Sequence, residues 1–109
     1  MDEHAQERVA HNENVFRELN ERIEAGRWPG DDTSGVAFRC ECGDLGCNLL
    51  LELTPAEYER VRAHPRRFFV APGHLISGAE TVVERAGDYV VIEKVAAAGR
   101  AAESRDPRD

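Results

Sequence analysis

The strongest constraint on the fold of this chain is a cluster of cysteines near its middle. All three cysteines lie within eight positions, at Cys40, Cys42 and Cys47. Residues 36–42 alternate apolar and polar side chains with a period of two, which predicts a half-buried strand with the first two cysteines on one face. Two glycines precede the third cysteine and predict a tight reversal. A returning strand would therefore carry Cys47 back toward the other two thiols.

Three thiols at this spacing favour a metal site over a disulfide. An odd number of cysteines argues against a disulfide framework. Zinc binds thiolate and imidazole ligands tetrahedrally, so three cysteines need one more donor for a closed structural site, or a water molecule for an open one. We expect Zn²⁺ because mixed thiolate and imidazole donors suit it. Two alternatives stay open: a redox switch, and reduced cysteines that are simply buried small apolar residues.

The fourth donor has to come from one of four histidines. His4 and His11 lie in the polar N-terminal region and could reach the cysteines only if that region folds over them. His64 ends a predicted helix, where an imidazolium would complement the helix C-terminus. His74 follows a Pro-Gly turn at the end of a predicted strand, and such a turn can aim one side chain at a neighbouring site. We predict the metal ligands Cys40, Cys42, Cys47 and His74, with His64 or water as alternatives at the fourth position.

The donor set favours a structural role over catalysis. Three thiolates, one neutral imidazole and a divalent ion carry a net negative charge, which disfavours Lewis-acid chemistry. The sequence contains neither an H-E-x-x-H motif nor the P-C-x-x-C half of a deaminase pattern. Glu41 and Asp44 lie beside the cysteines, and we expect both carboxylates to be solvated. We predict a protein that is not an enzyme, in which zinc supports a protein-interaction module; a zinc–thiolate redox sensor that releases its metal on oxidation is the alternative.

The rest of the sequence predicts an α+β fold around this strand pair. Apolar residues at helical spacing over residues 9–25 predict an amphipathic N-terminal helix with one apolar stripe, ended by a turn-rich loop at 28–35. Residues 54–63 begin with a capping box and a proline at the first helical position, which predicts a short capped helix. Residues 80–95 predict a C-terminal β-hairpin.

These elements divide the chain into three parts. Residues 1–26 form the N-terminal helix, residues 27–95 form the small zinc-stabilised α+β domain, and residues 96–109 are predicted to be a disordered tail. The tail contains no aromatic and no large aliphatic residue, so it offers little to bury.

Composition limits the partners and the compartment. The chain has 21 acidic and 14 basic residues and a net charge of -7, which argues against general attraction to nucleic acid or to an anionic membrane. A local basic patch, expected to be a solvated face or a contact for an acidic protein, consists of Arg60, Arg62, Arg66 and Arg67. No stretch approaches the roughly 20 apolar residues of a membrane-spanning helix, and no secretory signal is recognisable. We predict a cytoplasmic protein whose partner is another protein.

In the order of its motifs, the chain resembles a family of small uncharacterised bacterial proteins. The shared pattern includes an amphipathic helix at 16–23, an F-x-C-E-C knuckle with a later cysteine at 38–47, a P-G-H turn at 69–74 and a closing hairpin at 82–94. The resemblance implies no known activity. It implies that the three cysteines and His74 belong to one site, whereas His64 lies outside the shared pattern. The family has acidic residues soon after its P-G-H histidine, where this chain has Leu75, so no function can rest on a carboxylate there.

Overall fold

The protein folds as an α+β arrangement of three helices and two small antiparallel sheets, which confirms the predicted fold class. The computed structural model describes residues 3–26, 33–44, 46–75 and 80–108, so most of the predicted loop at 28–35 lies outside the described residues. The helices are α1 (Glu3–Ala25), α2 (Pro55–Arg62) and α3 (Ala96–Ser104). The strands are β1 (Val36–Arg39), β2 (Leu50–Leu53), β3 (Arg67–Val70), β4 (Glu80–Arg85) and β5 (Val90–Lys94). Within those ranges, none of the helices has the length and apolar character needed to cross a membrane.

The two sheets have simple antiparallel topologies. β1 pairs with β2, with Val36 opposite Leu53 and Arg39 opposite Leu50. The second sheet has the order β3-β5-β4, so β5 lies in the centre. The predicted C-terminal hairpin is confirmed as β4 and β5, and a β-bulge interrupts its register between Val82 and Glu84. Such a bulge adds twist to an edge strand and makes it a poorer template for aggregation.

A cluster of aromatic rings joins the two sheets to α2. Phe38 of β1 stacks on Tyr58 of α2, with ring centroids 4.5 Å apart. Phe69 of β3 packs edge-on against both of these rings and against Tyr89. All four side chains are buried. Because β1 and β3 are both tied to this core, the segments that follow them are brought close together.

Helix α2 begins as its sequence predicts. Thr54 is the N-cap, its hydroxyl accepts a hydrogen bond from the Glu57 N–H, and the Glu57 carboxylate accepts one from the Thr54 N–H. Both partners of the predicted capping box are therefore present.

Helix α1 buries a polar face rather than the single apolar stripe that was predicted. Phe16 is buried, but Val15 and Leu19 are exposed. The most deeply buried polar side chains on this helix are Glu13, Asn14, Arg17 and Asn20. Periodicity correctly indicated a helix, but the polar groups at the edges and ends of the neighbouring strands determine which face packs inward.

The C-terminal segment forms a helix where a disordered tail was predicted. α3 covers Ala96–Ser104 and packs against α1. Its buried residues are all small: Ala97, Ala98, Gly99 and Ala102. Small side chains bury little apolar area, so the composition of this segment did not indicate a packed helix. They do, however, let two helices approach closely.

Candidate metal centre

The three cysteines lie on the connection between β1 and β2. We call residues 40–49 the cysteine ribbon; Leu45 lies outside its described part. Cys40 follows β1 directly, and its N–H donates to the carbonyl of Leu49 at 3.0 Å, which extends the strand pairing by one residue. The ribbon turns back where the Cys47 N–H donates to the Asp44 carbonyl at 3.0 Å. This reversal brings Cys47 back to the first two cysteines, as predicted.

His74 is placed by a tight turn at the end of β3. The His74 N–H donates to the Ala71 carbonyl at 3.0 Å, and Gly73 has a φ of +87°, in the left-handed region that glycine adopts readily. With Pro72 at the preceding position, these features are those of a type II turn. The turn is rigid and short, so it fixes the direction of the imidazole.

Backbone contacts hold this turn against the cysteine ribbon. The Glu41 N–H donates to the Phe69 carbonyl at 3.0 Å, and the Ala71 N–H donates to the Cys40 sulfur at 3.2 Å. The end of β3 and the start of the ribbon are therefore joined directly. A sulfur that accepts an amide hydrogen bond is better able to carry the negative charge of a thiolate.

The structure brings Cys40, Cys42, Cys47 and His74 together. Their four donor atoms all lie within 4.8 Å of one another. Nδ1 of His74 lies 3.7 Å from Sγ of Cys40 and 3.7 Å from Sγ of Cys47. A tetrahedral zinc with ordinary bond lengths would separate such sulfur and nitrogen atoms by about 3.6 Å. The cluster could therefore hold a metal ion, and its donors match those that zinc prefers.

His64, the alternative fourth ligand, does not belong to this cluster. It follows the end of α2 and lines a different cavity, together with Arg60 and Glu84 among others. The structure thus places the histidine of the Pro-Gly turn beside the thiols.

The three thiols are buried, and burial changes their acidity. The exposed fractions of Cys40, Cys42 and Cys47 are 0%, 2% and 7%. Burial raises the pKa of the Cys40 thiol and raises that of Cys42 to about 12, because a thiolate loses its hydration there. Without a nearby cation, both groups stay protonated at neutral pH and are poor nucleophiles. A bound divalent ion would supply the missing positive charge and displace their protons.

Glu41 is fully buried, which corrects the expectation that it is solvated. Its carboxylate accepts hydrogen bonds from Nδ2 of Asn20 at 3.0 Å and from the Phe69 N–H at 3.3 Å. Burial raises the pKa of Glu41 to about 7, opposed by the positive charge of Arg17. The strand alternation points Glu41 away from the cysteines, and α1 covers that side. Asp44, by contrast, is exposed as expected.

Two asparagines of α1 bind the backbone on either side of Cys40 and Cys42. Asn20 pairs with both backbone groups of Arg39: its Oδ1 accepts from the N–H at 2.8 Å, and its Nδ2 donates to the carbonyl at 2.8 Å. Asn12 donates to the Gly43 carbonyl at 3.1 Å. Sequence reasoning missed both residues, because an asparagine on a helix carries no local signal of a distant backbone partner.

One side of the cluster opens to solvent. A cavity of about 240 Å³ lies there, lined by Cys42, Gly43, Asp44, Gly73, His74 and Leu75. Cys42 and His74 are therefore the two candidate ligands that face this cavity.

The predicted basic patch is largely neutralised. Each of its four arginines contacts a carboxylate, in the pairs Arg60–Glu84, Arg62–Asp106, Arg66–Glu103 and Arg67–Glu93. Arg62 is also buried. These ion pairs reduce the positive potential that phosphate contacts would require.

Comparison with protein families, curated proteins and solved structures finds no match to this chain. Inferences about its function therefore rest on the geometry described above.

Proposed function

We propose that this is a small zinc-binding protein in which Cys40, Cys42, Cys47 and His74 form a structural site. The observation that carries this proposal is the convergence of three thiols and one imidazole, with donor atoms within 4.8 Å of one another. Neutral thiols gain little from such proximity, whereas thiolates around a divalent ion gain a great deal. The ion would tie the cysteine ribbon to the turn after β3 and so join the two sheets.

A structural role is favoured over an enzymatic one. Four protein donors complete the coordination shell that zinc has in structural sites, and catalytic sites usually leave one position for water or substrate. The buried carboxylate nearest in sequence, Glu41, bonds to Asn20 and to the backbone of β3 rather than facing the cavity. We propose that the protein has no catalytic activity of its own.

Native mass spectrometry of the zinc-loaded protein tests the site. We expect one zinc per chain, loss of zinc in Cys42→Ser, and at least tenfold weaker binding in His74→Ala. His64→Ala is the matched control and should bind zinc like the wild type. Equal zinc binding by the wild type and His74→Ala would refute the assignment of the fourth ligand. A wild-type chain that takes up no zinc would refute the whole proposal.

We further propose that the zinc-stabilised domain binds another protein. Three exposed leucines support this idea, Leu49, Leu50 and Leu75, with exposed fractions of 45%, 63% and 37%. Leu50 is the first residue of β2 and Leu49 directly precedes it. β2 pairs with β1 alone among the described strands, so none of them pairs with its other edge. An open edge beside exposed apolar side chains suits an extended segment of a partner protein.

Chemical crosslinking in cells, read out by mass spectrometry, tests this surface. The wild type and the control Leu19→Glu, altered on the outer face of α1, should crosslink to the same partner. Leu50→Glu should lose that partner while keeping its zinc. A partner retained by Leu50→Glu would contradict the assigned surface.

The three reduced thiols also support the proposal of a cytoplasmic protein, and the knuckle and turn support kinship with the small bacterial family.

The cavity beside Cys42 favours one alternative function, a zinc–thiolate redox sensor. Peroxide could enter there and oxidise Cys42, and a second thiolate could then form a disulfide and release the metal. In this reaction two thiolates and two protons reduce one peroxide to two waters. Treating the zinc-loaded protein with moderate peroxide and measuring free zinc with a chromophoric chelator distinguishes the two functions. A structural site should keep its zinc, whereas a sensor should release about one equivalent.

A further inference from the structure

Helix α1 is anchored to the same short segment that carries two of the candidate metal ligands. Asn20 binds both backbone groups of Arg39, just before Cys40, and also the carboxylate of Glu41. Asn12 binds the carbonyl of Gly43, just after Cys42. The two asparagines are eight residues apart, so they lie close to one face of the helix. The helix therefore spans the ribbon from one side of the cysteine pair to the other.

The rest of the α1 interface is also mainly polar. Glu13 contacts the ammonium of Lys94, and Nη1 of Arg17 donates to the Pro65 carbonyl at 2.9 Å. Phe16 is the only large apolar side chain of α1 that is buried in the described part of the chain. Apolar contacts tolerate small shifts, but hydrogen bonds weaken steeply with distance and angle. The part of α1 that contacts the ribbon therefore depends on the exact position of the ribbon backbone.

We propose that metal occupancy of the cysteine site controls the docking of α1. This inference rests on the proposed zinc site. With the ion bound, three ribbon thiolates are fixed relative to His74, and the backbone at Arg39 and Gly43 is held where Asn20 and Asn12 need it. Without the ion, the start of the ribbon keeps its backbone bonds to Leu49 and Phe69, but the thiols are no longer tied to His74. The backbone around Cys42 and Gly43 then moves more freely, and the anchors of α1 to the ribbon weaken. Because coupling between two events is reciprocal, loosening α1 must also weaken metal binding.

Hydrogen exchange along a chelator titration tests the first direction of this coupling. The full-length zinc-loaded protein is titrated with EDTA, the bound metal is counted by native mass spectrometry, and amide exchange is followed by peptide. Exchange in residues 9–25 should rise at least tenfold as zinc leaves, while β3 and β5 stay protected. If zinc leaves and α1 stays protected, or if α1 and the central strands lose protection together, the inference is wrong. If the protein never binds zinc, the failure lies instead with the proposed site.

Zinc affinity of α1 variants tests the reciprocal direction with the protein kept folded. Asn20→Ala should weaken zinc binding about tenfold and Asn12→Ala about threefold, within the usual range of coupling between sites. Glu18→Ala, an exposed position on the same helix, is the matched control and should bind like the wild type. Asn12→Ala loses a single hydrogen bond, so it keeps the test valid if Asn20→Ala does not fold. Unchanged affinity in both folded variants, or in Asn12→Ala alone if the other is unfolded, would overturn the inference.

Discussion

Replacing Glu13 with glutamine should remove a pH-dependent penalty from the folded state. Glu13 is completely buried on the inner face of α1, where its carboxylate contacts the ammonium of Lys94. The same ammonium contacts Glu80, so two acids share one buried base. Burial raises the pKa of Glu13 from 4.5 to about 7, because the loss of hydration outweighs the attraction of Lys94 and Arg17.

The raised pKa of Glu13 determines how the free energy of unfolding changes with pH. Glu13 binds a proton more tightly in the folded state than in the unfolded state. Its stabilising contribution to the free energy of unfolding is therefore fully present below pH 4.5 and is lost as the pH rises through about 7. Between pH 5 and pH 8 the loss amounts to about 2.5 kcal/mol of unfolding free energy. Glutamine does not titrate, so Glu13→Gln should gain stability relative to the wild type by about this amount over the same interval.

Urea unfolding followed by circular dichroism at several pH values measures this difference. Saturating zinc is present in both proteins, so the pH dependence of metal binding cancels in the comparison. The difference between the two urea midpoints should change by about 1 M or more from pH 5 to pH 8. Glu18→Gln alters an exposed carboxylate of the same helix and should show no such change. A difference between Glu13→Gln and the wild type that stays constant with pH would refute the reasoning.

Three further substitutions test the fold. Thr54→Ala removes the N-cap oxygen of α2 and should cost about 1 kcal/mol in urea unfolding; a loss below about 0.3 kcal/mol would contradict the role of the capping box. Ala96→Gly relieves a φ of +50° and should raise the free energy of unfolding by about 0.5 kcal/mol, seen as a higher Tm, whereas a lower Tm would argue against strain there. Gly99→Ala would place a methyl group 3.0 Å from the Lys94 carbonyl and 2.7 Å from Nη1 of Arg66, so it should cost about 1–3 kcal/mol; wild-type stability would show that α3 packs less closely on Lys94 and Arg66 than described.

Local sequence signals were sufficient to predict the helices and strands that depend on contacts between neighbouring residues. The capping box at Thr54 needs only four consecutive residues, and the structure contains it as predicted. The hairpin of β4 and β5 likewise follows from two β-rich runs around a turn. Both predictions succeeded because the decisive hydrogen bonds join residues that are close in the chain.

Which side chains pack inward depends on residues that are distant in the chain, and these features were predicted less well. The inner face of α1 was expected to be apolar, yet Asn20 lies inside because it satisfies the free edge of β1 at Arg39. Residues 96–104 looked too poor in apolar area to fold, yet their small side chains pack on α1. No local sequence pattern specifies either arrangement, because each one depends on which residues from distant parts of the chain lie opposite.

The candidate site shows the same division. Spacing and turn chemistry favoured Cys40, Cys42, Cys47 and His74, because a short ribbon and a Pro-Gly turn restrict where those side chains can point. They left His64 or water open as the fourth donor. Only the tertiary structure could bring the turn to the ribbon, through the bond from Glu41 to Phe69 and the common aromatic core. It also placed Glu41 inside, between α1 and β3. The sequence determined which donors exist and how each is held locally, whereas their convergence depended on long-range packing, which short-range geometry does not specify.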